Sequence, residues 1–314
     1  MKLQADVEKI HSALEKIAVP GKVYELRALK VPHKGGNRRT FAGFFSDMGK
    51  MSQAAAALSD AGASGVYFTP NPVQAALLER SPNKLSPAQR GLLTTDRDIE
   101  EIRWLLVDID PARPANVSSA LREKVTSRAL AYRIRAYLSD LDWPEPIVGD
   151  SGNGYHLLYR ISGVTSDTVS NLLDVLAFIF DTKETKVDQA VYNPSRIWKL
   201  YGTAARKGDD NEVRPWRMSH LLEAPEVVEE VSQQQLQALL NLMPKKEEEG
   251  MSGGSKARLE LWLSRNFPSL REPQSWHNQG KRWIFPMCPW DTSHTDRSAY
   301  VVQFHNGAVV AGCL

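Results

Sequence analysis

RWLLVDID, residues 103 to 110, is an apolar run ending in two carboxylates one residue apart. Side chains alternate across a strand, so Asp108 and Asp110 leave the backbone on one face, and WLLV ahead of them marks a rigid, central strand. Pro111 ends the run, placing the acids at the strand's carboxyl end, where α/β sheets commonly build sites. Adjacent carboxylates repel and are costly to bury unless a cation neutralises them, and a hard divalent ion, magnesium or manganese, is the natural partner. An Asp-x-Asp pair also caps helices or faces solvent, so its context has to decide.

Outward from this strand the pattern alternates strand and helix. Upstream, VYELRAL (23 to 29) and TFAGFFS (40 to 46) read as strands joined by KVPHKGGNRR, a hairpin whose tip carries Lys34, Arg38 and Arg39. MSQAAAALSDAG (51 to 62) reads as a helix and SGVYFTPNP (64 to 72) as a buried strand. Downstream follow a helix over 118 to 140, the strand YHLLYRI (155 to 161), a helix over 168 to 182 and the strand RIWKLYG (196 to 202). The order predicts an α/β (α+β) protein with helices packed on a sheet.

Residues 219 to 243 read as helical segments broken by Pro225, and PKKEEEGMSGGSK (244 to 256) has the composition of a flexible linker. The expected organisation is a catalytic core over 1–218, a helical extension over 219–243, the linker over 244–256 and a small module over 257–314.

The chain has 314 residues and 42% hydrophobic content, enough for an ample core. It lacks the ~18-residue apolar run of a membrane span, and its start, MKLQADVEKIHSALEKI, lacks a signal-peptide core, so a cytoplasmic protein with no membrane partner is expected. A net charge of +2 means that affinity for nucleic acid must come from local basic patches. The two cysteines, Cys288 and Cys313, argue against a disulfide framework.

Three further features carry chemistry. Asp188, in KVDQAVYNPSRIWKLYG, is placed to supply a third carboxylate, and two metals held by three acids would activate a hydroxyl and stabilise a leaving pyrophosphate; the alternative is a helix-terminal or surface acid. SGNGYH puts a turn, Ser151 to Gly154, ahead of His156 on a strand. The turn amides suit an anion and the histidine a triphosphate oxygen; a structural histidine is the commoner case. Arg196, Lys199, Arg206, Lys207, Arg214 and Arg217 form a basic cluster suited to phosphates or to a solvated face. In a regular strand Arg196 and Lys199 face opposite sides, so only one of them reaches the centre.

VDID, then SGNGYH, then KVDQ with NPSRIWKLYGT, together with VYFTPNP, resembles the ordered motifs of the archaeo-eukaryotic primase superfamily, in the bifunctional primase-polymerase form of phages and mobile elements. The resemblance covers roughly residues 20 to 218. It implies a catalytic half with a sheet like that of an RNA-recognition motif beside an N-terminal α/β half. It also implies catalytic metals on Asp108, Asp110 and Asp188, and His156 on the triphosphate. Ser151, Asn153, Arg196 and Lys199 would line the nucleotide site, and Asn71 lies in a motif without an assigned role. The implied partners are a single-stranded DNA template, (d)NTPs and a helicase, in a bacterial or phage-infected cell. Lys34, Arg38 and Arg39 become candidates for template phosphates.

CPWDTSH (288 to 294) and the final VVAGCL offer Cys288, His294 and Cys313 as zinc ligands, with His305 or a residue beyond Leu314 as a fourth. Two free cysteines in a small domain are the alternative. Ending one residue after a cysteine suggests a truncated chain, and no GxxxxGK[ST] motif is present to support helicase activity. The competing functions are a metal-dependent glycosyltransferase, which uses Asp-x-Asp without His156, and a non-catalytic single-strand-binding or replication-initiator module.

Overall fold

Trp104–Pro111 is buried along nearly its whole length, as its apolar run predicts. In the computed structural model, residues 3–89, 91–243, 255–268, 270–276, 280–289, 299–305 and 307–313 are described. The chain divides into two units, Met1–Pro244 and Lys245–Leu314.

The first unit runs α1 (Val7–Ile17), β1 (Tyr24–Pro32), β2 (Arg38–Phe45), α2 (Met48–Asp60), β3 (Gly65–Phe68), β4 (Ser86–Pro87), β5 (Trp104–Pro111), α3 (Leu121–Ser139), β6 (Ile147–Asp150), β7 (Tyr155–Arg160), α4 (Ser166–Phe180) and β8 (Thr185–Val187). It continues with β9 (Trp198–Lys199), β10 (Ala204–Ala205), β11 (Arg217–Met218), β12 (His220–Glu223) and α5 (Gln233–Leu240).

Local chemistry sets the helix starts. The Asp6 carboxylate accepts from Glu8 N and Lys9 N at the head of α1, whose Ile10, Ala13, Leu14 and Ile17 recur at helical spacing and are buried. Asp47 and Thr165 cap α2 and α4 in the same way.

Two five-stranded sheets result, ordered β4-β2-β1-β3-β9 and β12-β6-β7-β5-β8. In the second, β5-α3-β6 and β7-α4-β8 are two split β-α-β units whose strands interleave with antiparallel neighbours, the arrangement of ferredoxin-like sheets. The chain then returns through β9 to pair with β3 of the first sheet, so both halves share one apolar core. This mixed α/β architecture agrees with the expected fold class.

Some elements differ from the sequence reading. Residues 220–223, expected to be helical, form β12 on the edge of β6. The strand expected over 196–202 contracts to Trp198–Lys199. The turn before His156 joins two paired strands, β6 and β7, rather than only opening one. Asn71 is a clamp: buried, it donates through Nδ2 to Pro194 O (2.9 Å) and accepts from Arg103 N (2.8 Å).

The second unit has a helix, α6 (Ser255–Asn266), and a four-stranded antiparallel sheet of β13 (Gln274–Trp276), β14 (Gly280–Ile284), β15 (Ala299–Phe304) and β16 (Val309–Cys313), in chain order. Cys288 is buried in its apolar cluster with Leu263, Trp283 and Phe285. Cys313 is exposed on β16. His294 lies outside the described residues, as do 244–254 of the expected linker. Among the described residues no group of three metal-ligating side chains forms in this unit; the expected zinc site needs His294, which is not among them.

Candidate active site

The site is built on the face of the second sheet that carries the even-numbered residues of β5. Asp108 lies opposite His156 of β7, and His156 lies opposite Gly149 of β6. A Cβ at Gly149 would stand 2.2 Å from the Tyr201 ring, so glycine is what lets Tyr201 lie on this face. Tyr201 and Trp198 cover the histidine: the His156 and Trp198 rings are 4.0 Å apart between centroids. The opposite face is left to α3 and α4.

The hydrogen bonds here define a direction. Trp198 Nε1, which can only donate, gives to the Tyr201 hydroxyl (3.2 Å), and that hydroxyl stands 2.9 Å from His156 Nδ1. With the indole donating to it, the hydroxyl's own proton is available for Nδ1, and in that tautomer the ring proton of His156 lies on Nε2. Nε2 is 3.4 Å from Asp108 Oδ1. That oxygen is buried and, among the described residues, has no hydrogen-bond partner.

His156 is 3% exposed. The histidine expected at a triphosphate stands here against Asp108.

Asp110 is held differently. Arg113 Nη2 donates to its Oδ2 (3.2 Å), and Gly154 leaves room for its other oxygen, which a Cβ there would approach to 2.6 Å. Burial, and then the Asp108 charge, raise the Asp110 carboxyl above the usual range, with Arg113 opposing. Tyr67, from β3 of the other sheet, has its phenol raised by burial and then by the charges of Asp108 and Asp110. Neither Arg113 nor Tyr67 stands out in the sequence; the i, i+3 spacing of Asp110 and Arg113 across Pro111 is the one local signal.

Asp188 arrives by register. Val187 pairs with Ile109, and Asp188 N donates to Asp108 O (2.8 Å), so alternation sets Asp188 on the face of Asp108. Its carboxylate accepts from Ala190 N (2.9 Å). As placed, no three His, Cys, Asp or Glu side chains among the described residues converge on one point. The pair on β5 nevertheless fits a divalent cation: a buried unpartnered carboxylate oxygen beside a second carboxylate strained by like charge is the environment that such an ion relieves.

The other expected residues are placed as follows. Ser151 and Asn153 stitch the turn. Ser151 Oγ accepts from Gly154 N (2.8 Å), Ser151 N donates to Gly154 O (3.1 Å), Gly152 N donates to the Asp150 carboxylate (2.7 Å), and Asn153 Oδ1 accepts from Ser119 N (2.9 Å). The turn amides expected to meet an anion are thus already bonded.

Arg196 donates to Ala190 O, latching the segment after Asp188. Lys199 is buried, its Nζ donating to Thr203 Oγ1 (2.9 Å) and Ala204 O (2.8 Å), and burial lowers its ammonium to about 7. It braces the first sheet instead of lining an open site. On the hairpin, Arg38 and Arg39 are both exposed, and Arg38 also donates to Lys30 O (3.0 Å); the Lys34 side chain lies outside the described residues. The charges of Arg113 and of the exposed Lys207 both act on Asp110.

No family profile and no curated protein matches this chain. Solved structures similar to it include primase RepB′, at 13% identity and TM-score 0.42, covering 84% of this chain and 68% of that one. A second is the catalytic domain of primase RepB′ in complex with initiator DNA, at 14% identity and TM-score 0.40, covering 83% and 97%. Among the described residues no helix is long and apolar enough to cross a membrane.

Proposed function

We propose that this chain is a nucleotidyltransferase that copies single-stranded DNA, making and extending primers from (d)NTPs with magnesium or manganese. One observation carries the reading: Asp108 and Asp110 share a face of the interior strand β5, with Asp108 Oδ1 buried and without a hydrogen-bond partner among the described residues, and the Asp188 backbone is bonded to that of Asp108.

Asp108, Asp110 and Asp188 would hold the ions, which supply activation of a 3′-hydroxyl and stabilisation of the departing pyrophosphate. The chain's own work is positional. His156, with Nε2 3.4 Å from Asp108 Oδ1, would steady that carboxylate from its buried side. Arg113 does the same for Asp110, and with Lys207 it supplies positive charge where triphosphate oxygens would lie. Arg38 and Arg39, both exposed on the hairpin, would meet template phosphate.

A glycosyltransferase would need only the Asp-x-Asp pair and leaves Asp188 without a task. The test is nucleotide incorporation on unprimed and primed single-stranded DNA with magnesium or manganese, comparing the natural chain with an Asp108→Ala, Asp110→Ala double variant. Products that vanish in the variant are expected. No incorporation by the natural chain, with DNA binding intact in both proteins, would overturn the enzyme reading in favour of a binding module.

A further inference from the structure

The start of β5 and the end of β7 carry a second concentration of charge, four residues up β5 from Asp108, or about 13 Å at ~3.3 Å per residue. An open cleft of about 350 Å³ lies there, lined by the last turn of α1 and its exit, by Arg103, Trp104 and Arg160, and by Glu230. Lys16 of α1 is fixed at its rim, donating to Pro225 O (3.1 Å) and Glu226 O (3.3 Å).

Two of its buried donors lack partners among the described residues. Trp104 is 3% exposed, and its Nε1 has no hydrogen-bond partner among the described residues; Arg103 Nε is likewise buried without one. The Arg160 guanidinium, over the Trp104 ring at 5.9 Å, has Glu230 as its ion-pair partner, 3.9 Å from Nε and beyond hydrogen-bond reach. Glu230 is itself engaged by Ser162 Oγ, and Arg103 Nη1 is held by Glu101.

Burial, and then the charge of Arg103, lower the Arg160 guanidinium, so two like charges face each other partly out of water. Three cations against Glu230 and the Glu101 paired with Arg103, with buried N–H groups left over, make an arrangement that an oxyanion completes.

We infer that the cleft between α1, β5 and β7 is a phosphate-binding site, with Arg103 and Arg160 clasping the oxyanion, Lys16 adding charge and Trp104 Nε1 donating from below. Guanidinium forks match phosphate oxygens in pairs. The site is separate from the carboxylates, and its ligand is either a free phosphate compound or the terminal phosphate of a nucleic-acid strand.

The experiment measures inorganic phosphate binding to the full chain by calorimetry and by the rise in Tm, without divalent metal. The natural chain should bind and be stabilised. Arg103→Gln and Arg160→Gln should each weaken binding about tenfold or more, as loss of a charge-assisted hydrogen bond requires, while leaving the phosphate-free Tm unchanged or higher because crowded like charges are relieved. Should a glutamine variant fail to fold, Arg160→Lys keeps the charge, loses the fork and should still weaken binding.

Competition by a 5′-phosphorylated oligonucleotide but not its 5′-hydroxyl counterpart would assign the ligand to a strand end; competition by neither would assign a free phosphate compound. Absence of phosphate binding by the natural chain, or binding that survives both arginine substitutions, would overturn the site. Because no metal or incorporation is involved, this outcome is independent of the proposed polymerase activity.

Discussion

His156 stands across the β5–β7 pair from Asp108, its Nε2 3.4 Å from Asp108 Oδ1 and its Nδ1 2.9 Å from the Tyr201 hydroxyl. On the proposed function, the histidine would act through the carboxylate rather than on the nucleotide. A lone ring nitrogen rotates between partners, but one bonded to a phenol that is itself fixed by an indole does not.

Removing that phenol tests the chain of donors. Tyr201→Phe leaves His156 Nδ1 and Trp198 Nε1 buried and unpaired, which should cost about 1–3 kcal/mol of stability. Its more telling effect is on metal: with the ring free to turn, the magnesium or manganese concentration for half-maximal incorporation should rise roughly 10- to 100-fold, as for other residues that orient a metal ligand. A metal titration beside a thermal melt separates the two; a lowered Tm with an unmoved titration would assign Tyr201 to packing alone.

The pair on β5 predicts a signature independent of turnover. The Asp110 carboxyl is raised by burial and by Asp108, so ionising it in the folded state is costlier than in the unfolded chain. The sign follows: without metal, this group favours the folded state at low pH and loses that contribution as pH rises through its folded pKa. Asp110→Asn should thus raise the metal-free Tm at neutral pH. Magnesium should stabilise the natural chain, by about 2.7 kcal/mol at a hundredfold excess over Kd, and the variant much less. Equal stabilisation of both proteins in calorimetric scans would remove Asp110 from the ion site.

How far the sequence discloses this site depends on the distance over which each residue acts. RWLLVDID is legible because continuous burial and a two-residue period are local properties. The ferredoxin-like order is only half legible: IVGD is a short run between a proline and a glycine turn, and HLLE becomes a strand because β6 offers an open edge, not because its own residues alternate. The roles of His156, Lys199 and Arg196 depend on register and on contacts such as that of Tyr201, 45 positions from His156. Ser151 and Asn153 show the converse: a turn rich in donors invites an anion on paper, and in the fold it spends those donors on itself.

Gly154 is a test of close approach. A Cβ there would come within 2.4 Å of Ile109 O and 2.6 Å of Asp110 Oδ1, and the first of these is backbone in the last pair of the β5–β7 ladder, where β8 holds β5 from the other side. Gly154→Ala should cost about 1–3 kcal/mol. By displacing Asp110 it should lower incorporation by roughly 100-fold, the effect of an ångström-scale misplacement. Structure determination or a melt combined with the assay checks it; a stable, fully active variant would mean that β5 and Asp110 absorb the methyl without consequence.

Lys199 supplies a pH dependence that no exposed lysine would. Its ammonium is lowered from 10.5 to about 7 because it is buried among Thr203, Ala204 and the Tyr67 ring, with no carboxylate bonded to it. Between those two values the unfolded chain binds a proton that the folded chain has released, so unfolding takes up protons and stability rises with pH. The penalty is absent above about 10.5, grows as pH falls and is complete below about 7. A single such group contributes a slope of up to about 1.4 kcal/mol per pH unit inside the window.

Other groups titrate there too, so the informative quantity is the difference between the natural chain and Lys199→Met, which keeps most of the volume and removes the amine. Denaturant unfolding at pH 7, 8 and 9 should show the variant's stability rising less steeply, with the two curves converging toward high pH. Parallel curves would mean that Lys199 stays protonated through this range despite its burial, with Ala204 O and Thr203 Oγ1 sufficient to hold the charge.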